Sequence, residues 1–264
     1  MGQEVLLTLP ALRSAPWLET LRRAGYRPRH WPLTALTLAP ALDLHELHRR
    51  IAASVWTLLP SPGAVTLLMQ ALLDARLSWP GPCGIALIGP GSLQALNPWM
   101  SRLEGLSQVA LQCPAQAPFD ARALLALPTF QRLDRQGVLL LHRADGSVGW
   151  IRTLLERGAR IEVRELYRQS VVSVAESEQA WMIGAARQQQ RVPVSLASRG
   201  AAQALMQTAL SLGVADWLVN QPVLTQHPLI AQSLLQLGFR QVGVHEPGVE
   251  PFIRSLRTVE SRPS

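Results

Sequence analysis

Two similar α/β halves are the architecture this sequence predicts, and three observations predict it. The chain has 264 residues, more than one core usually organises and enough for two domains of about 130 residues each. Short apolar runs alternate with helical patterns, the arrangement that gives parallel sheets covered by helices. The chain also repeats itself. Val5-Leu6-Leu7 recurs as Val138-Leu139-Leu140, and in the same register Ser14, Trp17, Thr20, Leu21, Gly25 and Arg27 recur as Ser147, Trp150, Thr153, Leu154, Gly158 and Arg160. Ser61, Gly63, Ala64, Leu68, Met69, Gln70 and Leu73 recur as Ser198, Gly200, Ala201, Leu205, Met206, Gln207 and Leu210, the offset growing only from 133 to 137 residues. A period this long excludes a solenoid and points to duplicated domains.

The elements follow in order. Each first copy reads as an apolar strand, a polar loop and an amphipathic helix ended by Gly25 or Gly158, where a left-handed cap is wanted. The segment from Pro32 to Pro40 alternates with polar residues and reads as an extended connector, as does Glu162 to Gln169. Helical patterns run over Leu47 to Ala53, Ala64 to Leu73, Trp150 to Arg157, Ala201 to Leu212 and Ile230 to Leu237. Strands are expected at Gly84 to Ile88, Val138 to Leu141, Trp217 to Val219 and Val242 to Val244.

Composition removes several function classes. With 48% hydrophobic and 16% charged residues the chain can bury cores, so wholesale disorder is excluded. The net charge is +7 and every basic side chain apart from histidine is arginine. Without lysine there is no Schiff base, no pyridoxal phosphate anchor and no Walker A loop. Arginine's planar fork matches carboxylates and phosphates, so the surplus fits an anionic ligand as well as a bias in composition. Cys83 and Cys113 are the only cysteines; far apart, they indicate neither a disulfide framework nor a metal cluster, and they fit a reducing compartment. The N-terminal residues run straight into a strand-like segment and not into a secretion signal. The apolar stretch from Ala53 to Leu73 is broken by Pro60, Ser61, Pro62 and Gly63, which excludes a membrane span. The expected compartment is the cytoplasm.

Candidate sites sit at element starts. Ser61 and Ser198 each precede a helical pattern and read as N-caps, whose free N–H groups and positive dipole end also favour anions. Gly89-Pro90-Gly91-Ser92 follows a strand and opens a helix, but Gln94 occupies the third glycine position of a dinucleotide fingerprint and no acidic residue follows about twenty positions on, so a simple turn competes with a phosphate site. His45 and His48 share a helix face without a partner to complete a metal site, and a solvated face explains them. His227 before Pro228 reads as a cap or an anion contact. Tyr167 is one of only two tyrosines; a phenol is a good donor where a leaving oxygen must be assisted, and an ordinary half-buried strand tyrosine explains it equally well.

The run Gly137-Val138-Leu139-Leu140-Leu141-His142-Arg143-Ala144-Asp145-Gly146, through Leu155-Glu156-Arg157-Gly158-Ala159-Arg160 to Glu165-Leu166-Tyr167-Arg168, resembles the central signature of the uroporphyrinogen-III synthase family. Other segments fall in order along nearly the whole chain: Thr8-Leu9-Pro10, Ser61-Pro62-Gly63-Ala64-Val65, Ile88-Gly89-Pro90-Gly91-Ser92, Phe119-Asp120 with Leu124-Leu125-Ala126-Leu127-Pro128, and His227-Pro228 with Leu237-Gly238-Phe239. Leu9, Val148 and Leu229 stand where the family often has arginine, and Pro60 and Ala197 where it has threonine.

The resemblance implies two similar parallel-sheet α/β domains joined by a two-stranded connector, with the active-site cleft between them. Residues 1–34 and 168–264 would form the first domain from both chain ends, and 38–166 the second. It implies cyclisation of hydroxymethylbilane, a linear tetrapyrrole with eight carboxylates, by loss of its terminal hydroxyl, attack of ring D through its substituted carbon, and closure with that ring inverted. Tyr167 would be the catalytic acid. Thr8, Ser61, Gly63, Ala64, Gly91, Ser92, Ser198, Thr225 and His227 would bind the substrate, with no metal and no cofactor. The implied partners are the substrate and the upstream bilane-forming enzyme; the chain would be a monomer that engages neither nucleic acid nor membrane. Two alternatives stand beside this reading. Duplicated lobes around a cleft also describe a non-catalytic binding protein for an anionic small molecule. The arginine surplus alone suggests a nucleic-acid binder, although the arginines are scattered with few aromatics beside them.

Overall fold

The computed structural model describes residues 2–144 and 149–260. Ser147 and Val148, together with Asp145 and Gly146 of the signature, lie outside the described residues. In chain order the elements are β1 (Glu4–Leu7), α1 (Ala11–Arg23), β2 (Arg27–His30), β3 (Thr34–Leu38), α2 (Leu44–Ala52), β4 (Trp56–Leu59), α3 (Pro62–Asp74), β5 (Gly84–Leu87), α4 (Pro90–Leu96), β6 (Leu111–Gln112), α5 (Ala121–Ala126), β7 (Gly137–Arg143), α6 (Ile151–Glu156), β8 (Arg160–Val171), α7 (Glu176–Arg187), β9 (Val194–Ser195), α8 (Arg199–Ser211), α9 (Ala215–Val219), β10 (Pro222–Thr225), α10 (Pro228–Gln236), β11 (Gln241–Val244) and α11 (Val249–Glu260). The chain divides into two compact units, Met1–Ala35 with Ser170–Ser264 as unit 1, and Leu36–Gln169 as unit 2.

Unit 1 holds a sheet in the order β11-β10-β9-β1-β2, and the second sheet runs β6-β5-β4-β7-β8-β3. All four neighbouring pairs of the first sheet are parallel, as are the four from β6 to β8 of the second. Aligning the two orders makes β9, β10 and β11 the counterparts of β4, β5 and β6, and β1 and β2 the counterparts of β7 and β8. The sequence repeat equates β1 with β7 and the helices α3 and α8 that follow β4 and β9. Along the chain, however, unit 2 runs β4 to β8 without interruption, whereas unit 1 takes β1 and β2 from one end and β9 to β11 from the other. The same sheet is thus laid down in two circular permutations. Beside β8 the added strand β3 is tied on by the bond from Ala39 N to Leu166 O.

Alternation across each strand sorts side chains into two layers. In β7, Leu139 and Leu141 join the cluster built on α3 and α4, with Leu59, Leu68, Met69 and Leu87. Val138 and Leu140 face the other way, against Phe130, Leu133 and Leu154. In β1, Leu6 packs with Val194, Leu205 and Phe239, while Val5 and Leu7 pack with Trp17, Leu21 and Phe252. Gly25 and Gly158 take φ of +89° and +87° directly after α1 and α6, the left-handed caps the sequence asked for.

One expected strand is a helix. Trp217-Leu218-Val219 forms the end of α9, and the place beside β9 belongs to β10. Trp217 and Leu218 are both buried, so the run never alternates, and an unbroken apolar run does not separate a strand from a buried helical turn. The Trp217 ring N–H donates to Gln190 O, and the Gln221 side chain links Trp217 O to the N–H of Val192, which holds this turn against the core.

Candidate active site

In open parallel sheets, ligands collect beyond the carboxyl ends of the strands where the strand order reverses. In unit 2 that point lies between β4 and β7, because β5 and β6 continue on one side and β8 on the other. Ser61 leaves the end of β4 and caps α3. Its backbone is extended, with φ −148° and ψ 153°, and its Oγ accepts from Ala64 N at 3.1 Å. On its other side the same Oγ lies 2.9 Å from the phenolic oxygen of Tyr167.

Tyr167 reaches Ser61 through an irregularity in β8. From Gly137 to His142 the partners on β8 run in step to Glu165, but Arg143 faces Tyr167, so Leu166 is the extra residue of a bulge. Leu166 and Tyr167 therefore join the same core cluster although they are consecutive. Tyr167 is 6% exposed, its ring packed and its oxygen held at the start of α3. Gly63 keeps the adjoining space clear. A Cβ there would lie 2.8 Å from Leu36 Cδ1 and 3.6 Å from the phenolic oxygen. A Cβ on Gly91 would lie 3.5 Å from the Pro62 ring, so the start of α4 adjoins that of α3. Ser92 is 3% exposed, which turns its side chain into the unit. The structure thus brings Ser61, Gly63, Ala64, Gly91 and Tyr167 together.

Sequence reasoning passed over three neighbours. Leu36 from β3 bounds the space left by Gly63. Arg143 stands at the carboxyl end of β7 opposite Tyr167, and its Nη1 donates to the side-chain oxygen of Gln169 at 2.7 Å. A cation ending a central parallel strand was the available signal for Arg143; Leu36 and Gln169 gave none.

Unit 1 has its reversal between β9 and β1. Ser198 follows β9 and caps α8 with the bond Ser61 makes, accepting from Ala201 N at 3.1 Å. Thr8 follows β1, is buried, and its hydroxyl donates to Ser195 O at 2.6 Å, closing the two strand ends on each other. Thr225 ends β10 at 1% exposure with its hydroxyl oxygen buried and unpartnered among the described residues. His227 caps α10, its Nδ1 accepting from Leu229 N at 3.1 Å, which makes that ring nitrogen the unprotonated one. Leu9 is 1% exposed and belongs to the core, whereas Leu229 is exposed.

The chemistry offered is that of a phenol, hydroxyls, backbone N–H groups and guanidinium. Burial pushes the thiols of Cys83 and Cys113 up, away from the thiolate a nucleophile needs. His48 binds Ser78 O through Nε2, and among the described residues no group of three metal-ligating side chains forms.

Comparisons with known proteins give this arrangement a context. A family model described as uroporphyrinogen-III synthase HemD matches residues 15–253. The fold is similar to the crystal structure of uroporphyrinogen-III synthetase from Helicobacter pylori, with a TM-score of 0.56 at 15% identity over 98% of this chain and 100% of that one. A mutant uroporphyrinogen III synthase from Thermus thermophilus gives 0.55 at 16% identity, over 99% and 100%. At these identities the solved structures support the fold alone. No curated protein sequence matches.

Proposed function

The chain belongs to the uroporphyrinogen-III synthase family, and from that premise we propose how its residues perform the family's reaction. It cyclises hydroxymethylbilane, with inversion of ring D, to uroporphyrinogen III and water in tetrapyrrole (haem) biosynthesis. The observation that carries the assignment of residues is the hydrogen bond between Tyr167 and Ser61 at the strand-order reversal of unit 2.

Tyr167 acts as the general acid. As the terminal carbon–oxygen bond breaks, its electron pair leaves on oxygen and the phenol's proton turns the departing hydroxyl into water. The pyrrole nitrogen stabilises the cation left behind, and ring D attacks it through its substituted carbon to give a spiro intermediate. The bond from that carbon to its original methylene bridge then breaks, the freed bridge is attacked by ring D's unsubstituted α-carbon, and the proton which that carbon sheds as the ring regains aromaticity returns to the phenolate. Bound carboxylates engage the helix starts at Ser61 and Ser198 with Gly63, Ala64, Gly91 and Ser92, and the strand ends at Thr8, Thr225 and His227. Such contacts contribute about 0.3–1 kcal/mol each when exposed and up to about 2 when partly buried. Because hydroxymethylbilane also closes unaided to the uninverted isomer, the protein's main task is geometric. A preference of about 1.4 kcal/mol between the two closing transition states gives tenfold selectivity.

We place the reaction in the cytoplasm, carried out by a monomer supplied by the bilane-forming enzyme upstream; the unpaired Cys83 and Cys113 support a reducing compartment. Among the described residues no helix is long and apolar enough to cross a membrane. The test is isomer analysis of the porphyrins formed from hydroxymethylbilane with and without the protein. Uroporphyrin III is expected to dominate only when the protein is present; isomer I in both reactions overturns the reading.

A further inference from the structure

We propose that Ser61 is a positioning residue for Tyr167: its hydroxyl donates to the phenolic oxygen, leaving the phenol's own proton directed at the departing hydroxyl. This rests on the reading of Tyr167 as the acid. Each of the two side chains has one proton to give. Ser61 Oγ already accepts from Ala64 N at 3.1 Å, so its remaining need is an acceptor, and the Tyr167 oxygen at 2.9 Å supplies one. The opposite assignment would spend the phenol's proton on Ser61 and leave none for the substrate. Accepting an N–H at the positive end of α3 also polarises the serine, and a chain of bonds running Ala64 N–H to Ser61 to Tyr167 strengthens each link in the donating direction.

The consequence separates the two duplicated serines. Ser198 makes the same cap at 3.1 Å to Ala201 N, but the bond from Ser61 to a phenol has no counterpart there among the described residues. At the start of α3 a substrate carboxylate is therefore left to the backbone N–H groups, while the Ser61 side chain works through Tyr167.

A double-mutant cycle tests this. Tyr167→Phe should lower kcat by about a hundredfold, and Ser61→Ala by about tenfold with KM changed less than about twofold. The protein carrying both changes should be no slower than Tyr167→Phe alone. Ser198→Ala combined with Tyr167→Phe should instead multiply the two single effects. Ser61→Thr, which keeps the hydroxyl, should restore kcat. If loss of the cap prevents Ser61→Ala from folding, Ser61→Asp keeps the cap acceptor, has no proton to give, and should show the same fall in kcat. A readout free of turnover uses Tyr26→Phe, which leaves Tyr167 as the single tyrosine. Its Raman doublet, whose intensity ratio reports whether a phenolic oxygen accepts a hydrogen bond, should show an acceptor that disappears when Ser61→Ala is added. Multiplying effects of Ser61→Ala and Tyr167→Phe, or a doublet that Ser61→Ala leaves unchanged, overturns the proposal for Ser61 alone. Full turnover by Tyr167→Phe overturns the acid reading itself, and with it anything for Ser61 to position.

Discussion

The starts of α3 and α8 carry the same pattern, Ser-x-Gly-Ala, and make the same cap, yet only the first meets a tyrosine. The difference lies in the neighbouring strand. In unit 1, β2 has four residues and ends at His30; its counterpart in unit 2, β8, has twelve and carries a bulge that turns Tyr167 onto the helix start. The two units share a capped helix start, and the longer strand brings a phenol to one of them. The comparison teaches that the repeated residues describe the scaffold, whereas the phenol we propose as the acid stands where the copies differ.

The largest effect expected to separate the units is at Tyr167. Tyr167→Phe should lower turnover about a hundredfold or more, while Ser198→Ala, one anchor among many, should cost a few-fold at most, of the size of a single helix-end contact of about 1 kcal/mol. Both should raise the share of uroporphyrin I in step with the lost rate; equal losses at the two positions would break the comparison. Next come the paired glycines. At Gly63 an alanine Cβ would sit 2.8 Å from Leu36 and crowd the phenol, while at Gly200 it would meet nothing within 4 Å. Gly63→Ala should therefore slow turnover about tenfold through displacement of the Tyr167 phenol. Gly200→Ala should keep wild-type turnover and raise thermal stability by up to about 1 kcal/mol, the helix preference for alanine.

Smaller still is the cost to stability of removing each cap. Ser198→Ala should destabilise by about 1 kcal/mol, and Ser61→Ala by about 1 kcal/mol more, because it also ends the bond to Tyr167. Hydrogen exchange resolved by residue assigns each loss to its unit; matching costs would mean that the tyrosine bond contributes nothing. The smallest effect concerns pH. His245 lies buried between Trp17 and Phe252, and burial lowers its pKa from 6.5. The unfolded chain then takes up the proton first, so stability is fully present above pH 6.5 and falls as pH drops from there through the lower folded value. Amide protection of unit 1 should weaken over that window, and His245→Phe should flatten the slope.

Much of this was legible in the sequence. The duplicated segments foretold two parallel sheets with equivalent helices, Ser61 and Ser198 declared themselves as caps by position, and Tyr167 stood out as one of two tyrosines. What stayed hidden was set by tertiary structure. Nothing local says that β1 pairs with β9, because that pairing joins Leu6 to Val194 and Leu7 to Ser195 from opposite ends of the chain. The two residues of β9 are too few for a periodic signal. The bulge at Leu166 breaks an alternation that a sequence reader would extend, and so conceals that Tyr167 shares a face with Leu166. Thr8 illustrates the converse: the sequence marks it as a hydroxyl at a strand end, and only the fold reveals that Ser195 already occupies it.

The permuted order of strands also sets a timetable. A ribosome that adds about 5–20 residues per second completes the strands of unit 2 as one continuous stretch. Between emerging and meeting its central neighbour, β1 must wait for the 187 residues that separate Thr8 from Ser195, about 10–40 s at that rate. Throughout that interval the edge of β1 that meets β9 stays open, and Leu6, buried in the finished protein against Val194, Leu205 and Phe239, lacks that layer. The nascent chain thus carries this unpaired strand edge through that interval, and the two units, alike once folded, are born under different risks of aggregation.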